Sequence, residues 1–284
     1  MELLRPGSPE EAVAALGNGS VPLAGGTDLV PLLRDRLVRA DTLVQLRGVV
    51  PRGVTSTSTS TSIGACTTLA ELEVDPELPD ALREACRLAA SPQLRSMGTV
   101  GGNLLQATRC WYWRLGYPCY LHGGDRCHAR EGEHGEHAIF GNELCASAHP
   151  SDVAAALLAL GTTLRTTARE LPLAELYRLP TADDPRTTTL AADELILELD
   201  VPIPDASVYL KAMDRKRWAF PIVGVAVARF GEEIRLALAG VAPVPWTLGS
   251  ITDLDDATPL PGTAYKLPIA RALVRRGMDS VSAR

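Results

Sequence analysis

Two glycine turns and one group of cysteines are the residues of this 284-residue chain best suited to chemistry. In Leu23-Ala24-Gly25-Gly26-Thr27-Asp28, two adjacent glycines follow a short apolar stretch. Without Cβ atoms, their amide N–H groups can come close to a bulky anion. A helix opening directly after the turn would add its N-terminal dipole, and Thr27 a hydroxyl donor. Gly98-Thr99-Val100-Gly101-Gly102-Asn103 offers the same backbone chemistry a second time. One such turn fits a ligand-free strand-to-helix connection equally well, whereas two suit the two phosphates of a dinucleotide. Neither matches Gly-x-Gly-x-x-Gly or a nucleoside triphosphate P-loop, which disfavours a nicotinamide-type Rossmann domain.

Cys110, Cys119, Cys127 and Cys145 fall in one polar, glycine-rich window that also contains all five histidines, His122, His128, His134, His137 and His149. Thiolates are preferred by iron–sulfur clusters and by zinc. The irregular spacing does not choose between them, although the close cysteine pair common in zinc sites is missing, and unligated thiols stay open as a third reading. Most of the histidines read as surface residues. Trp111, Tyr112, Trp113 and Tyr117 either pack the loop or shield a metal centre. Arg109 to Leu144 shows little periodicity and is longer than an ordinary connection, which a bound metal centre would explain. Cys66 and Cys86 stand in apolar surroundings and read as buried structural thiols.

The elements that must position these residues follow from periodicity. A helix from Glu10 to Leu16, a Gly17-Asn18-Gly19 breaker and a strand from Val21 to Ala24 lead into the first turn. Leu29, Leu32, Leu33 and Leu37 predict an amphipathic helix over Leu29 to Arg39, followed by a strand from Thr42 to Leu46. The alternating Thr/Ser run from Thr55 to Ser62 predicts one or two exposed strands. Asp80 to Ala90 and Ser151 to Leu160 read as helices, the latter capped by Ser151. Strands are expected over Leu195 to Val201, Ser207 to Met213, Ile222 to Phe230 and Glu233 to Ala239, with a domain boundary near Thr167 to Glu170.

Composition sets the outer bounds. Hydrophobic residues at 46% and charged residues at 22% are ordinary globular values. The net charge of −6, with its basic residues scattered, leaves no nucleic-acid footprint. No signal-peptide pattern and no membrane-length apolar stretch is present, so nucleic-acid and membrane partners are not expected and the default compartment is the cytoplasm.

Against this background the motifs Pro22-Leu23-Ala24-Gly25-Gly26-Thr27-Asp28-Leu29, Thr99-Val100-Gly101-Gly102-Asn103 and His149-Pro150-Ser151-Asp152 resemble the successive FAD motifs of the medium subunits of molybdenum hydroxylases, the xanthine dehydrogenase and CO dehydrogenase flavoprotein family. Ile196-Leu197-Glu198-Leu199-Asp200-Val201-Pro202, Tyr209-Leu210-Lys211 and Gly240-Val241-Ala242-Pro243-Val244-Pro245-Trp246 extend the resemblance over nearly the whole chain. It implies an α+β chain. A two-part FAD-binding domain of the PCMH/vanillyl-alcohol-oxidase type would occupy 1–168, with subdomains 1–53 and 54–168, and a smaller α/β CO-dehydrogenase-flavoprotein C-terminal domain would occupy 169–284.

The same resemblance implies that residues 22–29 and 99–103 hold the pyrophosphate and ribityl regions of FAD, and it adds Thr108 to the cofactor-binding set. Asp152 would accept ribityl or ribose hydroxyls, Leu197 would lie against the flavin ring, and Lys211 would sit near its polar edge. On the residues alone, Asp152 also reads as a carboxylate complementing a helix dipole and Lys211 as a solvated strand residue.

Thr108-Arg109-Cys110 and Cys145-Ala146-Ser147-Ala148-His149-Pro150-Ser151-Asp152 resemble the ends of a [4Fe-4S] insert found in flavin subunits of periplasmic aldehyde oxidoreductases, which would make the insert at 109–145 a cluster site. Such subunits work beside a molybdopterin-binding large subunit and a [2Fe-2S] small subunit, and hand electrons from FAD to an acceptor. Two other readings stay open: a stand-alone flavoprotein oxidising a small or carrier-bound substrate, and an assembly scaffold whose flavin site has decayed.

Overall fold

The computed structural model describes residues 1–17, 19–215 and 219–283, so Asn18 of the expected glycine breaker lies outside the described residues. Strands β1 (Glu2–Leu4), β2 (Ser20–Leu23) and β3 (Thr42–Gln45) form a parallel sheet in the order β1-β3-β2. The Thr/Ser run becomes a hairpin of β4 (Val54–Ser56) and β5 (Ser60–Gly64). Its turn is closed by the Thr57 hydroxyl, which donates to the Ser60 carbonyl and accepts the Ser60 N–H. β6 (Thr163–Thr166), β7 (Glu170–Pro172) and β8 (Ile196–Pro202) complete an antiparallel sheet in the order β4-β5-β8-β6-β7. β9 (Ala206–Ala212), β10 (Val223–Phe230), β11 (Glu233–Ala239) and β12 (Trp246–Leu248) form a second antiparallel sheet, ordered β12-β11-β10-β9.

Two expectations differ from this arrangement. A division at 168/169 would fall in the tight β6–β7 turn, whereas β8 lies between β5 and β6, so the sheets divide after residue 202. The change of pattern near residue 170 is real, but it marks a change of element within one sheet. The helix expected to reach Arg39 spans only Leu29–Arg34, because Arg36 adopts φ 60°, a left-handed conformation that ends a right-handed helix.

The helix Asp152–Ala159 is buried along its whole length, which its nearly all-apolar sequence requires. Ser151 caps it by accepting the Ala154 N–H at 2.9 Å. Strand alternation shapes the sheet it packs on. Ala226, Ala228, Ala237 and Ala239 share a core with this helix, while Val223, Val225, Val227, Leu236 and Leu238 pack with the C-terminal helix Lys266–Ser282 on the other face. Small side chains on the first face let the helix approach closely, and this fixes Asp152 at its first turn. Truncating the fully buried Leu157 to alanine would cost about 2–5 kcal/mol. Among the described residues no helix is long and apolar enough to cross a membrane.

Candidate functional site

The two glycine turns meet directly. A Cβ built on Gly25 would stand 2.2 Å from the Met97 carbonyl oxygen and 3.1 Å from the Gly98 Cα, so only glycine fits where the turns touch. Gly26 takes φ 74°, which lets the chain turn sharply out of β2. In the second turn, Thr99 caps the helix Val100–Leu104 by accepting the Gly102 N–H at 3.2 Å, and Gly101 donates to the Ala65 carbonyl at 2.9 Å. Among the described residues, the N–H groups of Gly26, Thr27 and Asp28 donate to no protein carbonyl.

A cleft of about 990 Å³ opens along both turns, near the upper end of the roughly 300–1,000 Å³ that small-molecule sites occupy. Pro22, Ala24, Gly25, Gly26, Thr27, Asp28 and Leu29 line it from the first turn, Thr99, Gly101, Gly102 and Asn103 from the second, and Asp152 from the buried helix. Leu23, Val100, Thr108, Leu197 and Lys211 are not among its described lining residues. Val100 is buried in the core, and the neighbours of Leu197, Leu195 and Ile196, reach the cleft instead. The free amides and the absent side chains suit a dinucleotide, whose phosphates need close-lying N–H donors.

Asp152 and Lys211 are joined to each other. Lys211 Nζ lies 2.8 Å from Asp152 Oδ2, and the Tyr209 hydroxyl donates to Asp152 Oδ1 at 2.5 Å. Burial pushes the Asp152 carboxyl up, while Lys211 and then Tyr209 pull it back toward the charged form. Gly224 on the adjacent strand makes room, since a Cβ there would lie 2.0 Å from the tyrosine oxygen. Lys211 also donates to the Leu88 carbonyl at 3.0 Å and the Ala219 carbonyl at 2.8 Å, which uses all three ammonium protons. The carboxylate expected to meet ligand hydroxyls is thus engaged by protein donors on both oxygens, and the lysine expected at the flavin's edge is buried in the same pair.

The insert is tied to the first turn through Asp28. Its carboxylate accepts the Ala107 N–H at 2.8 Å and pairs with Arg109 at 2.8 Å and Arg114 at 2.9 Å. Arg109 lines the cleft, and its guanidinium lies 5.2 Å from the ring centre of Phe220, which also lines it. Neither residue was singled out by the sequence as a cleft residue. Arg109 carried a signal in its Thr-Arg-Cys context, whereas Phe220 carried none.

Cys110, Cys119, Cys127 and Cys145 line one small cavity, walled also by Tyr112 and Trp113. Burial raises the thiols of Cys110 and Cys119 and pushes Cys145 up to about 12, so burial favours the protonated form of each. Among the described residues no three His, Cys, Asp or Glu side chains converge as a single metal ion would need. Tetrahedral zinc, with Zn–S bonds of about 2.3 Å, needs such convergence. Cys110 lines both this cavity and the cleft. Two histidines depart from the surface reading: burial pushes His137 down to about 4 and His149 down to about 3, and both line the cleft. Cys66 and Cys86 are buried, and Cys66 also lines the cleft.

A parallel β-sheet entering a glycine turn, faced by a second glycine turn across a large cleft, defines a dinucleotide-binding protein that lacks the Rossmann fingerprint. The chain belongs to the family of FAD-binding domains in molybdopterin dehydrogenases, whose model matches residues 1–204. It is 33% identical over 256 residues to the aldehyde oxidoreductase FAD-binding subunit PaoB of Escherichia coli (strain K12), a match covering 84% of this chain and 80% of that one. Over 107 residues it is 41% identical to the carbon monoxide dehydrogenase medium chain of Afipia carboxidovorans, covering 35% of this chain and 37% of the relative. The fold matches a chain of carbon monoxide dehydrogenase from Hydrogenophaga pseudoflava with a TM-score of 0.72 at 23% identity, covering 100% of this chain and 97% of that one. The chain is therefore an α+β member of this molybdopterin dehydrogenase FAD-binding family.

Proposed function

We propose that this chain carries FAD in the cleft between its two glycine turns and a [4Fe-4S] cluster on Cys110, Cys119, Cys127 and Cys145. As an electron-transfer subunit it would pass electrons from a molybdopterin-binding large subunit and a [2Fe-2S] small subunit to an acceptor. The observation that carries this reading is Cys110, which lines the cleft and the cysteine cavity at once and brings the two sites into contact. FAD, when bound, supplies the redox chemistry.

The chain's own part is placement. The free N–H groups at Gly26, Thr27 and Asp28 would hold phosphate, and Thr99 and Asn103 would order the second turn beneath it. Asp152 would stand in the cleft wall with Lys211 behind it, since Lys211 pairs with Asp152 and binds the Ala219 carbonyl beside Phe220 and Pro221. The units we assign are an FAD-binding domain through about residue 204 and a C-terminal domain beyond it, in place of a break at 168/169.

Purification of the native protein tests the subunit role. Elution with a molybdopterin-containing chain and a [2Fe-2S] chain, all reduced together by substrate, is the expected result. A chain that runs alone and reduces its own flavin with a small or carrier-bound substrate would overturn it.

A further inference from the structure

We propose that His137 is a positioning residue for the cysteine centre: its Nε2–H donates to the sulfur of Cys110 and sets the reduction potential of the cluster at the ligand shared with the flavin cleft. This rests on the reading of the four cysteines as cluster ligands.

His137 Nε2 lies 3.3 Å from Cys110 Sγ, within reach of a hydrogen bond to sulfur. The side chain is 2% exposed, and among the described residues its Nδ1 is buried without a partner. A neutral imidazole carries one N–H, and a proton on Nδ1 would meet no acceptor there, whereas on Nε2 it meets the sulfur. The proton therefore belongs on Nε2.

The ring is held firmly in that pose. Trp111 packs against it at nearly a right angle with centroids 4.8 Å apart, and the His137 N–H donates to the His134 carbonyl at 2.9 Å. On either side the backbone is pinned: Lys266 donates to the Glu136 carbonyl at 2.8 Å, and the Ala138 N–H donates to the Ala146 carbonyl at 2.8 Å. Lys266 reaches in from the C-terminal helix and also binds the Gly240 carbonyl at 2.8 Å, so the far end of the chain fixes this loop.

One-electron reduction adds one negative charge that is shared with the ligand sulfurs. A fixed N–H aimed at a thiolate stabilises that charge more in the reduced form than in the oxidised form, and so raises the potential. Cys145, by comparison, has the Ser147 hydroxyl at 3.3 Å and does not line the cleft. Among the four ligands, Cys110 combines an imidazole partner with a place on the cleft wall.

The test compares wild type, His137→Phe and His137→Gln as anaerobically purified full-length protein, with dithionite titrations followed by EPR and with iron and FAD assayed in each. Expected are retained iron in the phenylalanine variant with a cluster potential shifted to more negative values, and a glutamine variant near wild type because its amide N–H can replace Nε2–H. In reduced, 15N-histidine-labelled wild type, a hyperfine coupling to one histidine nitrogen is expected, and both variants should lose it. Retained iron with an unmoved potential in His137→Phe would overturn the proposal. If that variant loses its iron, the wild-type coupling decides, and its absence overturns the proposal. Wild type without iron would overturn the cluster reading itself, an outcome the iron assay separates from failure of the His137 role.

Discussion

Gly25 and Met97 touch backbone to backbone, with room for no side chain between the Gly25 Cα and the Met97 carbonyl. The contact joins turns more than 70 residues apart in sequence, and it builds one wall of the cleft. Gly25→Ala forces the turns apart, at a cost of about 1–3 kcal/mol by analogy with overpacked cores. Fluorescence titration of the apoprotein should show FAD affinity reduced at least tenfold, with iron content close to wild type. Unchanged affinity would mean that the turns do not hold the cofactor.

The Asp152–Lys211 pair ties the buried helix to β9, and its neutral replacement separates pairing from charge burial. Lys211→Met leaves a buried carboxylate with Tyr209 alone and should cost about 3–5 kcal/mol in denaturant unfolding. The double variant Asp152→Asn/Lys211→Met should recover much of that loss. A single variant as stable as wild type would refute this account of the pair.

His149 makes stability depend on pH in a definite direction. Burial holds its folded pKa at about 3, below the ordinary 6.5, so the unfolded chain binds the proton first. Its contribution is fully present above pH 6.5 and is lost as pH falls toward 3, at about 1.4 kcal/mol per pH unit. His149→Leu should therefore unfold with a shallower acid limb between pH 6.5 and 4, and identical limbs for the two proteins would count against the burial effect.

Asp28 serves both sites. Asp28→Ala leaves Arg109 and Arg114 without their shared carboxylate and frees the Ala107 N–H. Both FAD and iron content should fall in this variant, whereas Gly101→Val, whose Cβ would press on Ala65 at 3.0 Å, should lower FAD alone. Loss of only one cofactor in Asp28→Ala would show that the insert is not anchored through this carboxylate.

Much of the fold was legible because local patterns and tertiary demands agree. The strands expected at 195–201, 207–213, 222–230 and 233–239 lie within a residue or so of β8 to β11, since each is an apolar run bounded by turn residues. The helix begun at Leu29 was overextended because Leu37 continues a helical spacing that the left-handed Arg36 interrupts. The glycine turns were visible as motifs, but their mutual contact was not, because Gly25 and Met97 meet only through the fold.

The same holds for the cleft's other features. Asp152 and Lys211 were both singled out, yet no spacing rule pairs residues 59 positions apart on a helix and a strand. His137 looked like one of several polar loop histidines, and only tertiary packing distinguishes it from exposed His122. The division after β8 was hidden because strand order in a sheet is not encoded in the pattern of any single strand.

Cys119→Ser removes one wall of the cysteine cavity without touching the cleft, since Cys119 lines only the former. Loss of iron with retained FAD is expected on analysis of the purified variant, and retained iron would exclude Cys119 as a ligand.

The most direct test of the two-site account is the cofactor stoichiometry of the anaerobically purified wild-type protein, from released flavin and an iron and zinc assay. The account predicts FAD at one per chain or close to it, together with about four irons per chain. A protein without flavin, or one with zinc in place of iron, would contradict it.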